Sequence, residues 1–183
     1  MNNSLTNPLG IDVDIENIKN TLYDLLSASV QGDISAYGRV YRNEHSSDAN
    51  SNAINPEWYN ATKGDYVDVY YDDDYSLVFA FIENQQHKTK DENKFLAEVK
   101  VVFMLDLEKA YAGTEREDQK IQQDVIAILR DNAFERFEIT GITKGIKNVF
   151  QGFETSGIRL SDTQPFHCFS VNLDLSYYIN EQC

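Results

Sequence analysis

Five carboxylates and no basic residue fall between residues 65 and 75: Asp65, Asp68 and the run Asp72-Asp73-Asp74. Hard cations take oxygen ligands, so magnesium or calcium is the first chemistry to test here. An EF-hand loop needs a central glycine and a terminal glutamate at set spacing, and neither is present. Asp72, Asp73 and Asp74 therefore read as an exposed acidic tip, and no metal is expected. The histidines, His45, His87 and His167, are scattered. His167 adjoins Cys168, but neighbouring residues of a strand point to opposite faces, which separates a nucleophile from its base. Thr140-Gly141-Ile142-Thr143-Lys144-Gly145 has the letters of a phosphate loop without the GxxxxGK[ST] spacing. No catalytic constellation emerges, so neither enzyme activity nor a cofactor is expected.

The elements that position these residues are organised around Phe95–Leu107, FLAEVKVVFMLDL. Its apolar residues alternate with Glu98, Lys100 and Asp106, the signature of a strand with one face on a core. A second alternating stretch runs from Phe169 to Ile179, with Pro165 near its start. Strands of this length would span roughly 35–40 Å. Ile11, Ile15, Ile18, Leu22, Leu25 and Leu26 recur at helical spacing and predict a helix over about 12–28, capped by Asp12 or Asp14. Thr114 and Glu117 suggest a capping box for a second helix over about 114–131.

Ala36–Arg42, Tyr66–Tyr71, Tyr75–Glu83 and Phe134–Thr143 read as further strands, with Phe137 and Ile139 inward in the last. Asp72–Asp74 would form a hairpin connection between the second and third of these. Tyr75–Glu83 is apolar on both sides, which predicts a central, doubly covered position or one buried by a neighbouring subunit. Ile146, Val149, Phe150 and Phe153 suggest a short helix. Residues 1–10 read as a polar arm, and residues 43–64 as a long loop holding Trp58 and Tyr59. Those two aromatics are the candidate subunit interface, the alternative being that Trp58 folds back on its own core. The order of elements predicts a single α+β domain over residues 1–183: a mainly antiparallel sheet with two main helices packed on one face.

With 16 basic and 30 acidic residues, the chain carries a formal charge of −14. Such a surface disfavours nucleic acid and anionic membrane as direct ligands. Cys168 and Cys183 have no CxxC neighbour, which argues against a disulfide framework or zinc knuckle. No apolar run approaches a membrane span, and the N-terminus lacks signal-peptide features, so a soluble protein of a reducing cytoplasm is expected.

The leading helix, the Tyr-rich strands, the acidic second helix, FEITGITKGIKNVFQGF and DTQPFHCFSVNLDLSYYI together resemble the tail-completion or tail-terminator proteins of tailed bacteriophages. The likeness lies in the order of elements and in the last third of the chain, above all Asp162–Tyr178. It implies a structural virion protein without cofactor, assembled in the bacterial host cytoplasm. Such a protein forms a homo-oligomeric ring, usually hexameric, at the phage neck. That ring terminates the tail tube and joins tail to head, contacts neighbouring neck and tail-tube proteins, and lets DNA pass without specific binding. A head-closure or adaptor ring of the same neck is the nearest rival. An acidic DNA-mimic inhibitor, or a small enzyme with a site formed only between subunits, are readings from other classes.

Overall fold

The computed structural model describes residues 1–45, 53–84, 86–113, 117–132, 137–158, 160 and 163–179. Its centre is the antiparallel pair of β7 (Lys94–Asp106) and β9 (Phe166–Tyr178), in continuous register from Lys94↔Tyr178 to Asp106↔Phe166. On one side of this pair β5 (Leu77–Glu83) joins β7, and β1 (Ile34–Arg39) joins β5. On the other, β8 (Phe137–Lys144) joins β9. The short β6 (Lys88–Asp91) pairs with the start of β7. All these pairs are antiparallel except β1 with β5, which is parallel. The fold is thus α+β with a mainly antiparallel sheet.

Helices α1 (Ile11–Ser29) and α3 (Glu117–Asp131) cover one face of that sheet. Ile15, Ile18, Leu22 and Leu26 of α1 and Ile121, Val125 and Leu129 of α3 meet the inward residues of the strands. A row of rings marks the centre. Phe79, Phe103 and Phe169 lie in register on β5, β7 and β9, with centroids 5.5 and 4.9 Å apart and no solvent exposure. Each buried ring contributes about 1.5–3 kcal/mol by leaving water. Phe137 and Ile139 of β8 pack against the same core, as their alternation predicts.

The other face departs from the expected polar surface. Around Val78, Val102, Met104 and Cys168 it is buried beneath Tyr71, α4 (Ile146–Val149), Phe150, Ile158 and Leu160. Beside this lies a second, three-stranded antiparallel sheet of β2 (Tyr41–His45), β3 (Ala53–Asn60) and β4 (Asp65–Asp68). The stretch expected to be a loop over 43–64 is therefore largely strand where it is described. Val40 separates β1 from β2, so the single strand expected over 36–42 divides between two sheets.

Three local expectations are also corrected. Neither Asp12 nor Asp14 caps α1; Gly10, at φ 57°, occupies the cap position without a side-chain bond. Asp12 instead faces Arg39. The sequence 66–83 forms no hairpin, because β4 belongs to the small sheet and β5 to the large one. The N-terminal arm is not free. Asn3 N donates to Ala36 O, Ala36 N donates to Met1 O, and Asn2 bridges Ala36 in parallel. Lys19, fully buried, secures the arm by donating to Asn3 O, to Ser4 Oγ at 2.9 Å and to Glu16 at 2.6 Å. Thr114, Phe134 and Cys183 lie outside the described residues. Leu107–Ala110 forms the additional short helix α2, capped by the Asp106 carboxylate. Among the described residues no helix is long and apolar enough to cross a membrane.

Candidate functional site

Asp72, Asp73 and Asp74 are exposed, as the sequence indicates. Asp72 Oδ1 accepts from Asp74 N at 3.0 Å in a local turn, and Lys109 Nζ donates to Asp73 O at 2.9 Å. The tip is thus tethered to α2 as well as solvated. Among the described residues no three His, Cys, Asp or Glu side chains converge as metal ligands. His167 and Cys168 do point to opposite faces: Cys168 is buried in the second cluster, while His167 Nε2 lies 2.8 Å from Gln122 of α3. Thr140–Lys144 lies within β8 and forms no phosphate loop.

Trp58 is 4% exposed and packs against Val40, Val69 and Ala80, with Tyr37 at 5.8 Å. It is core of this chain and is not a free anchor for a neighbour. The reason is strand alternation: Trp58 and its partner Val67 face inward, whereas Tyr59 and its partner Tyr66 face outward. On that outer face Tyr66 meets Tyr59 at 5.1 Å and Tyr41 at 5.5 Å. These three tyrosines are 36–41% exposed. The sequence points to Tyr59; Tyr41 and Tyr66 are joined to it only by the pairing of the small sheet.

At one end of the large sheet a polar network links four elements. Arg39 donates to both oxygens of Asp12 at 2.7 and 2.8 Å and to Glu83 at 2.8 Å. Glu83 lies 3.4 Å from His87 Nε2, and His87 Nδ1 lies 2.7 Å from the Tyr177 hydroxyl. Burial, and secondarily Glu83, pushes the Tyr177 phenol up from its ordinary value. These contacts bring α1, β1, β5 and β9 together at this end of the sheet.

A groove of about 560 Å³ opens where the second face of the large sheet is uncovered. Its floor includes Glu98 and Lys100 of β7, Asn172 and Asp174 of β9 and Thr140 of β8. Glu138, Asp174 and Glu98 stand opposite one another across β8, β9 and β7. Lys88 donates to Glu98 at 3.0 Å and holds that carboxyl below its usual value, aided by Asn84. Asn172 donates to Thr143 Oγ1 at 3.0 Å and accepts from Ser170 at 3.2 Å, which fixes its amide. The wall is Ile82, Val149, Phe153 and Arg42. Arg42 lies over the Phe153 ring at 4.8 Å and donates to Gly152 O at 2.8 Å, a contact between residues 110 apart in sequence. Periodicity places Lys100 and Asp174 on a polar face; nothing local brings Arg42 to them.

No family model, no curated protein and no solved structure matches the chain.

Proposed function

We propose that this chain is a non-enzymatic virion subunit that assembles into a ring, six-fold by analogy with the family it resembles, at the neck of a tailed bacteriophage. There it would terminate the tail tube and join tail to head. The observation that carries the reading is the outward tyrosine triplet Tyr41, Tyr59 and Tyr66 on the three-stranded sheet. Tyrosine offers a large contact area at low entropic cost and is enriched at protein interfaces. A ring requires a heterologous contact, and a patch on a sheet set apart from the helix-covered core can supply one side of it. The other side is a surface of the next copy. The net charge of −14 supports a channel that DNA traverses without adhering.

Size-exclusion chromatography with light scattering, followed by negative-stain imaging, tests this reading. Closed rings of uniform size are expected. A monodisperse monomer at every concentration examined would overturn it.

A further inference from the structure

We propose that the groove on the uncovered face of the large sheet binds a single carboxylate between Arg42 and Lys100, with an apolar body resting on Ile82, Val149 and Phe153. Some cations of this chain are paired with carboxylates and others, such as Lys63, Lys90 and Lys147, stand in no ion pair among the described residues. Lys19, Arg39, Lys88, Lys109 and Lys120 each stand within 4.0 Å of an Asp or Glu oxygen. Arg42 and Lys100 belong to the cations that have no such partner among the described residues. Both line one groove.

Arg42 is held in place for the task. Its guanidinium stacks on Phe153, one Nη bonds Gly152 O, and the remaining N–H groups are left to present a fork. Gly152 has φ +85°, and a Cβ there would stand 3.1 and 3.2 Å from the two Nη atoms. The glycine therefore makes the seat on which the guanidinium rests.

The groove also sets the charge of its ligand. Glu98 is committed to Lys88 and Asn84, and Glu83 to Arg39. Among the described residues Asp174 is the one remaining carboxylate of the lining, set against Arg42 and Lys100. That balance suits a monoanion and repels a second negative charge, which disfavours phosphate. The volume of about 560 Å³ lies in the range of small-molecule pockets. The carboxylate can belong to a free organic acid or be displayed by a second copy of this chain; the proposal stands apart from the ring reading.

The test is a backbone-amide NMR titration of the full chain with phenylacetate and, separately, with inorganic phosphate at matched ionic strength. Saturable shifts at Lys100, Gly152 and Phe153 are expected with phenylacetate, and no saturation with phosphate. Arg42→Gln and Lys100→Gln should each weaken phenylacetate by about ten-fold or more, the scale of one lost charge-assisted hydrogen bond. If a second copy already fills the groove, wild type is multimeric and the double variant dissociates, which supports the proposal and identifies the source. Phosphate binding as tightly as phenylacetate would overturn it. So would the absence of phenylacetate saturation in a protein whose oligomeric state ignores both substitutions.

Discussion

Two aromatic triplets, each spread over three strands, have opposite surroundings. Phe79, Phe103 and Phe169 form a row beneath α1 and α3 with no solvent exposure. Tyr41, Tyr59 and Tyr66 cluster on the outer face of the small sheet, each more than one-third exposed. The hydroxyl accounts for much of this division. A phenylalanine has nothing to satisfy and gains from complete burial, whereas a tyrosine keeps one end wet while offering a face to a partner. The inner row therefore supplies stability within one chain, and the outer cluster is the patch that the proposed ring contact would use.

The inner row gives the largest effect. Phe103→Ala should cost roughly 3–5 kcal/mol, because the cavity would lie between Phe79 and Phe169 under a helical layer that cannot collapse fully. Chemical denaturation checks it, and a loss below about 1 kcal/mol would mean that the row is not a keystone. The outer cluster should behave in the reverse sense. Tyr66→Ala touches both its neighbours and should leave the unfolding midpoint of the monomer nearly unchanged. It should weaken assembly by about 2 kcal/mol, the scale of an interface aromatic. Sedimentation across a dilution series measures the second effect and circular dichroism the first.

Buried and half-buried tyrosines sharpen the contrast through pH. Burial, with Asp68 adding, pushes the Tyr70 phenol up to about 12 from the ordinary 10.0. Tyr71 and Tyr111 are raised as well, by burial first and then by Asp106 and Asp124 respectively. A raised folded-state value means that the associated stability is complete below the unfolded value near 10.0 and is lost as pH climbs towards about 12. Denaturant midpoints should accordingly fall across that interval. Tyr70→Phe should lessen the fall; an unchanged slope would show that Tyr70 does not contribute to it.

Two smaller effects test the polar side of the sheet. Asp174→Asn removes the middle carboxylate of the Glu138–Asp174–Glu98 row and should raise stability by a few tenths of a kcal/mol, since like charges directly opposite repel. A lowered melting temperature would indicate that Asp174 has an attractive role. Replacing Asp72, Asp73 and Asp74 together by Asn should change stability by less than about 0.5 kcal/mol. Relief of repulsion is offset there by loss of the exposed Lys109–Asp73 pair at 3.6 Å. Magnesium or calcium should not shift the melting temperature of either form; a shift present only in the wild type would assign a metal to the tip.

How much of this was legible in the sequence depended on how local the cause was. The stripe of α1 and the alternation of β7 and β9 are repeated signals along one segment, and they place the first core correctly except for Leu25, which is exposed. The small sheet was hidden because its strands lack such a signal. AINPEWYN is poor in β-branched residues, and Pro56 argues against a central strand, yet β3 is central among three. Burial of Trp58 in tertiary packing overrides that propensity. The identity of the inward aromatic followed the same course: alternation tells that Trp58 and Tyr59 face opposite ways, but not which way is in. The groove was least legible, because the seat of Arg42 is made by Gly152 and Phe153 from the far side of the chain.

The placement of β9 has a consequence for how the chain is made. β9 is the last described strand, yet it lies between β7 and β8 and bonds to both along their lengths. As the polypeptide leaves the ribosome, β7 therefore emerges with one long edge unpaired, and β8 emerges with no strand to join. The row of phenylalanines stays one ring short until Phe169 arrives. Such an edge is a template for the wrong partner, and pairing across this sequence separation closes slowly. The nascent chain is thus most vulnerable to aggregation just before β9 inserts, an interval in which a chaperone that shields β7 would have its greatest effect on yield.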